Sequence, residues 1–100
     1  MHLTRTLFEQ NLNTKFWLRD PDGARAALDL VEVHNGQAPP RYEVFSLLFR
    51  GDSDRIHPQR IYAMEHDAIG AFDLFLVPVG RDQNGIKYEA IFNRASGDQS

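Results

Sequence analysis

Glu65, His66 and Asp67 form the tightest cluster of titratable residues in the chain. A histidine beside a carboxylate can serve a hydrolase, because the carboxylate orients the imidazole. Successive residues of a strand point to opposite faces, however, so these three meet only if the chain bends at them. Catalysis by Glu65, His66 and Asp67 is therefore the weakest of three functional readings. The four histidines, His2, His34, His57 and His66, include no pair at i, i+2 or i, i+4. That spacing would set two rings on one metal. The histidines read instead as solvated residues near loop ends, and neither a metal nor a cofactor is expected.

Other chemical motifs begin and fail. Gly51-Asp52-Ser53-Asp54 opens like a calcium loop, but Ile56 stands where the next ligand is needed. Asp82-Gln83-Asn84-Gly85 fails likewise, and both stretches read as turns. Ser46 lies in a hydrophobic run without the glycines of a nucleophile elbow. No glycine spacing makes a phosphate loop. The absence of cysteine excludes disulfides, zinc–thiolate sites, iron–sulfur clusters and thiol catalysis. The expectation is a protein that is not an enzyme.

The aromatic and apolar residues carry more. Trp17 alternates with Phe16 and Leu18 and sits between Lys15 and Arg19. If Phe16 and Leu18 face a core, Trp17 faces outward, where tryptophan beside cations makes an interface anchor. The commoner outcome is that an N-terminal helix covers it through Leu7 or Phe8, since bare rings of this size are seldom left exposed. Val44, Leu48, Phe75, Val77 and Val79 lie opposite the faces bearing Phe45 or Leu74. Either the sheet folds over these residues or a partner covers them. Trp17, Phe75, Val77 and Tyr62 are the candidate interface residues. Trp17, Tyr62 and Tyr88 are also natural contacts for a ligand held in a concave site.

The elements that position these residues follow from period and turn chemistry. Thr4 can cap a short helix or irregular turn carrying Leu7, Phe8 and Leu12. A period-2 strand covers Lys15 to Arg19 and ends at Asp20-Pro21-Asp22-Gly23. The next runs from about Arg25 to His34. Leu28 and Leu30 share one parity and Val31 and Val33 the other, so a bulge near Leu30-Val31 is expected. Further strands run Tyr42–Arg50, Arg60–His66, Phe72–Val79 and Lys87–Asn93. Asp67-Ala68-Ile69-Gly70 turns the chain, and Asn84-Gly85 closes a hairpin through left-handed conformations. Pro78 cannot donate to a ladder, so it marks an edge, a bulge or the limit of pairing. The predicted fold class is mainly β, with about six antiparallel strands as a meander curled into a small barrel or sandwich. No internal repeat is visible.

Composition agrees with one soluble β domain over residues 1–94, followed by a flexible polar tail over 95–100. The 100 residues are 42% hydrophobic and 25% charged, unlike a disordered chain. The net charge is −3 with basic residues scattered among acids, so nucleic-acid binding is not expected. No run approaches the roughly 20 apolar residues of a membrane helix. No signal-peptide pattern follows Met1. A cytoplasmic protein is expected.

Four segments carry a resemblance that spans about Leu7 to Arg94. They are Phe45 to Gly51 (FSLLFRG), Ile61 to Gly70 (IYAMEHDAIG), Leu74 to Gly80 (LFLVPVG) and Tyr88 to Arg94 (YEAIFNR). On these the chain resembles an uncharacterised family of small bacterial proteins of unknown function. Such proteins look like companions of phage-tail-like or tail-collar proteins. The resemblance implies a fold and an accessory role in such a particle, and brings no chemistry to any residue. The leading expectation is a protein-interaction or assembly domain, binding another protein or further copies of itself. A small-ligand or carbohydrate-binding barrel comes second.

Overall fold

Alternating apolar residues build six strands, and the ring they form buries the apolar set. In the computed structural model, which describes residues 3–52 and 54–95, a helix α1 (Arg5–Glu9) precedes β1 (Lys15–Arg19), β2 (Arg25–Asn35) and β3 (Tyr42–Gly51). The chain continues with β4 (Arg60–His66), β5 (Gly70–Asp82) and β6 (Gly85–Ala95). Residues 96–100, most of the expected tail, lie outside the described residues, while Ala95 is the last residue of β6. No described helix is long and apolar enough to cross a membrane.

The strands close in the order β1-β2-β3-β6-β5-β4, every pair antiparallel. The chain thus makes two three-stranded meanders, β1-β2-β3 and β4-β5-β6, which meet along two seams. The simple meander fails between β3 and β4, which do not pair: β3 meets β6 and β4 meets β1. One seam is long, running from Tyr42 opposite Ala95 to Gly51 opposite Ile86. The other is short, from Trp17 opposite Glu65 to Arg19 opposite Ala63. This inequality makes the ring irregular as a barrel. Closure leaves fewer unpaired strand edges than an open sheet of the same strands.

The two meanders share a device. The middle strand of each is bulged: the β2–β3 register shifts between Leu30 and Glu32, and the β5–β6 register between Pro78 and Gly80. The first shift falls where the parity of Leu28, Leu30 and Val33 requires it, since one extra residue returns Val33 to the core side. The second follows from Pro78, which has no N–H for the ladder. β5 and β6 outrun their expected limits because the ladder continues to a two-residue turn, with Asp82 opposite Gly85. Positive φ falls there on Gly85 at 136° and not on Asn84. The Asn84 N–H instead donates to Asp82 Oδ1 at 2.8 Å, which holds the Asp82 carboxyl below the usual carboxylate range.

The core is the inside of the ring. Phe16, Leu18, Leu28, Leu30, Phe45, Leu47, Phe49, Tyr62, Met64, Leu74, Leu76, Ile86, Tyr88 and Ala90 are all buried. The lumen is filled with side chains, as small barrels generally are. The helix caps one end. Thr4 Oγ1 accepts the Leu7 N–H at 3.0 Å, as expected of an N-cap. Phe8 then enters the ring, fully buried, with its centroid 5.7–6.4 Å from Phe16, Phe45, Phe72 and Phe92.

Candidate functional site

Trp17 is half-buried on the outer face of β1, but not under the helix. Leu7 packs against the core and Phe8 enters it. The cover comes from Arg25, whose guanidinium lies 4.4 Å from the centre of the Trp17 ring. Glu65, opposite Trp17 on β4, pairs with Arg19 at 3.0 Å and Arg25 at 3.6 Å. Cation–π contact and two exposed ion pairs thus replace the expected helix.

The remaining candidates divide between inside and outside. Tyr62 is buried, and its hydroxyl donates to the Pro58 carbonyl at 2.5 Å. It cannot serve as a surface anchor, because its parity on β4 points it into the lumen with Met64. Phe75 is 48% exposed and stands opposite Ile61, itself 66% exposed. Val77 is half-buried opposite Glu89. Ile91, one outward position beyond Glu89 on β6, is 65% exposed, and Val79 in the β5 bulge is half-exposed. Val44 and Leu48 are half-buried on the outer side of β3. Ring closure therefore fills the lumen and still leaves an apolar stripe on the outer wall of β4, β5 and β6.

Glu65, His66 and Asp67 do not converge. Glu65 faces out toward the arginines, and Asp67 is exposed in the turn. His66 faces in and is buried, correcting its reading as a solvated residue. Its Nδ1 accepts the N–H groups of Ala68 at 3.0 Å and Ile69 at 3.3 Å. The proton must then sit on Nε2, which donates to Thr14 Oγ1 at 2.8 Å. The Thr14 hydroxyl in turn donates to the Asn11 carbonyl at 2.6 Å. Burial against Phe16, 4.3 Å away between ring centres, lowers the His66 pKa, and the charge of Asp67 opposes that shift. Both ring nitrogens are engaged in holding the β4–β5 turn and the chain before β1.

At the other end of the ring lies a constellation that sequence reasoning missed. His57, in the connection between β3 and β4, is also buried. Its Nδ1 is 3.2 Å from Asp20 Oδ1. A carboxylate only accepts, so Nδ1 carries the proton. The His57 backbone N–H donates to Tyr88 Oη at 2.9 Å, and the imidazole lies about 6 Å from the Tyr62 and Tyr88 rings. Arg55 reaches Asp20 Oδ2 at 3.3 Å and Asp22 at 3.8 Å. Asp20 is 6% exposed, held between turn and connection. Burial, with the negative charge of Asp20, raises the pKa of both tyrosines, so their hydroxyls remain protonated. Beneath them Gly85 meets Gly51 so closely that a Cβ on Gly85 would stand 2.0 Å from the Gly51 carbonyl oxygen. The only local sign was Asp20 itself, ahead of a Pro-Asp-Gly turn. Nothing near His57 announces a partner 37 residues away.

This end holds a cleft of about 250 Å³, lined by residues that include Asp20, Arg25, Asp52, Asp54, Arg55 and His57. It is polar and falls just below the roughly 300–1,000 Å³ of sites that commonly engulf small molecules. Among the described residues, no three histidine, aspartate or glutamate side chains stand close enough to hold a metal ion. His34, by contrast, is exposed beside Glu32, and His2 lies outside the described residues.

Residues 3–92 match the model of a family described as a domain of unknown function, DUF6916. No curated protein and no solved structure matches the chain.

Proposed function

The chain belongs to the DUF6916 family, and from that premise we propose that it is a non-enzymatic interaction or assembly domain, acting in the cytoplasm through its outer wall. The observation that carries this reading is the exposed apolar stripe of Ile61, Phe75 and Ile91, with Val77 and Val79 beside it. A filled ring has no internal use for these residues, and stability alone favours polar ones in their place. Contiguous exposed apolar surface is typical of a docking face. The occupant is another protein or a second copy of the chain, and the finer role is that of an accessory in a phage-tail-like particle. The scattered titratable residues support a non-catalytic role: Glu65, His66 and Asp67 point in different directions, and both nitrogens of His66 are committed to structure.

The test joins mass to partner recovery. Light scattering behind a sizing column gives the absolute mass of the wild type across concentrations, and of Phe75→Asp and Trp17→Ala. A wild-type oligomer that falls to 11.5 kDa in Phe75→Asp supports self-assembly. A wild-type monomer that recovers a protein from its host, and loses it in Phe75→Asp, supports a heterologous partner. Unchanged mass and unchanged recovery in both variants, with the fold intact by circular dichroism, overturn the reading.

A second reading rests on the polar cleft. A small ligand would sit at the end of the ring, not in the lumen, with His57, Asp52 and Asp54 around it. Its expected mark is a saturable change in the signals of those residues.

A further inference from the structure

We infer that the apolar patch on the outer wall docks a different protein, which sets a lysine or arginine against Glu89 and apolar side chains around it. This rests on the outer-wall reading and names the chemistry of the partner.

Glu89 lies inside the patch, not beside it. On β6 it alternates with the buried Tyr88 and Ala90, so its side chain points outward. Its cross-strand neighbours are Val77 on β5 and Leu48 on β3, at the roughly 5 Å that separates opposed side chains in a sheet. Phe75 is the next outward position beyond Val77, and Ile91 the next beyond Glu89. Apolar side chains therefore flank this carboxylate on three sides. Glu89 is half-buried and has no ion-pair partner among the described residues.

The fourth side holds two cations, and both act on another acid. Lys87 and Arg50 stand opposite each other, one outward position beyond Glu89 and Leu48. Lys87 pairs with Asp82 at 3.5 Å, and the charge of Arg50 acts on Asp82 as well.

Any occupant of the patch strips the remaining water from Glu89. An ionised carboxylate covered in this way is costly unless it is paired. The occupant must therefore bring a cation to the centre of the contact and apolar side chains to its surroundings. A second copy brings the apolar side chains with the wrong charge. A two-fold contact uses one patch on both subunits, so Glu89 in the middle of the patch meets another Glu89. Like charges facing each other across an interface exclude a partner.

The test uses the full chain, isotope-labelled for NMR, with acetyl-Leu-Arg-Leu-amide as probe. Acetyl-Leu-Glu-Leu-amide and acetyl-Ser-Arg-Ser-amide are the controls. Saturable shifts are expected at Val77, Glu89 and Ile91 with the first peptide, and binding weaker by at least about fivefold with the other two. Glu89→Gln has nearly the same shape, keeps the fold and weakens the first peptide to a similar degree. Glu89→Lys reverses the preference toward the glutamate peptide, and Phe75→Asp weakens the arginine peptide. The wild type stays at 11.5 kDa across concentrations. No shift with the arginine peptide, equal binding of the glutamate peptide, or unchanged binding in Glu89→Gln would each overturn the assignment. A wild-type oligomer dispersed by Phe75→Asp would overturn it too, since the occupant is then a second copy. If Phe75→Asp loses a host protein while the peptides show no charge preference, the outer-wall reading stands and this chemistry alone falls. If Phe75→Asp changes neither mass nor recovery and the peptide shifts are absent, both fall.

Discussion

The two ends of the ring are stoppered by different chemistry. At one end Phe8 drops from α1 onto four phenylalanines and is fully buried. At the other, the connection before β4 inserts His57 against two tyrosines and a buried aspartate. Each stopper lies on the segment just before the first strand of its meander. An apolar ring needs only a complementary shape, so its end packs dry. A buried imidazole must have its bonds made, because an unpaired polar group inside a protein costs free energy. Asp20 bonds the imidazole, and Tyr88 Oη accepts the backbone N–H of the same residue. The comparison teaches that Phe8 is held by shape alone, whereas His57 is held by a buried pair that must form with it.

The largest effect that can break this comparison is at the dry end. Phe8→Ala should lower stability by about 3–5 kcal/mol, the usual cost of emptying a buried phenylalanine site. Urea unfolding measures it, and a loss below about 1 kcal/mol would mean that the helix does not stopper the ring.

At the polar end Asp20→Ala should cost less, about 1–3 kcal/mol, because it strands one buried donor while the exposed Arg55 simply returns to water. A double-mutant cycle of Asp20→Ala with His57→Ala should show positive coupling between the two sites. Simple additivity would mean that the pair is not bonded in solution.

Acidity should then act on the dry end through His66. Its folded pKa lies below the ordinary histidine value, so between the two values the unfolded chain binds more protons than the folded one. The His66 contribution is complete above about pH 6.5 and is lost as pH falls through the folded value. Protonation would put a proton on Nδ1, facing the Ala68 and Ile69 N–H groups. Urea midpoints compared at neutral and mildly acidic pH should fall further in the wild type than in His66→Gln. Equal slopes would remove His66 as the cause.

The smallest effect on stability is expected on the wall between the ends. Phe75→Asp should change it by no more than about 0.5 kcal/mol, as exposed substitutions generally do, while abolishing association. A large loss would place Phe75 in the core of the folded chain instead of on a docking face.

Much of this molecule is set by its sequence. Residues Arg60 to His66 alternate with period 2 and form β4 with those limits. The parity of Leu28, Leu30 and Val33 places the β2 bulge, and Gly23 and Gly70 mark turns by their positive φ. These are local matters, decided within a few residues by sterics and by which face must leave water. The tertiary structure decided what no local pattern carries. Alternation says that a strand has an inner face but not which edge meets which, so the β1–β4 and β3–β6 seams appear only on closure. The same closure brings Asp20 to His57, buries Tyr62 and His66, sets Glu65 against Arg19 and Arg25, and leaves Phe75 outside. Each depends on which distant segments can satisfy one another's edges and polar groups at once, and that is fixed only when the ring is complete.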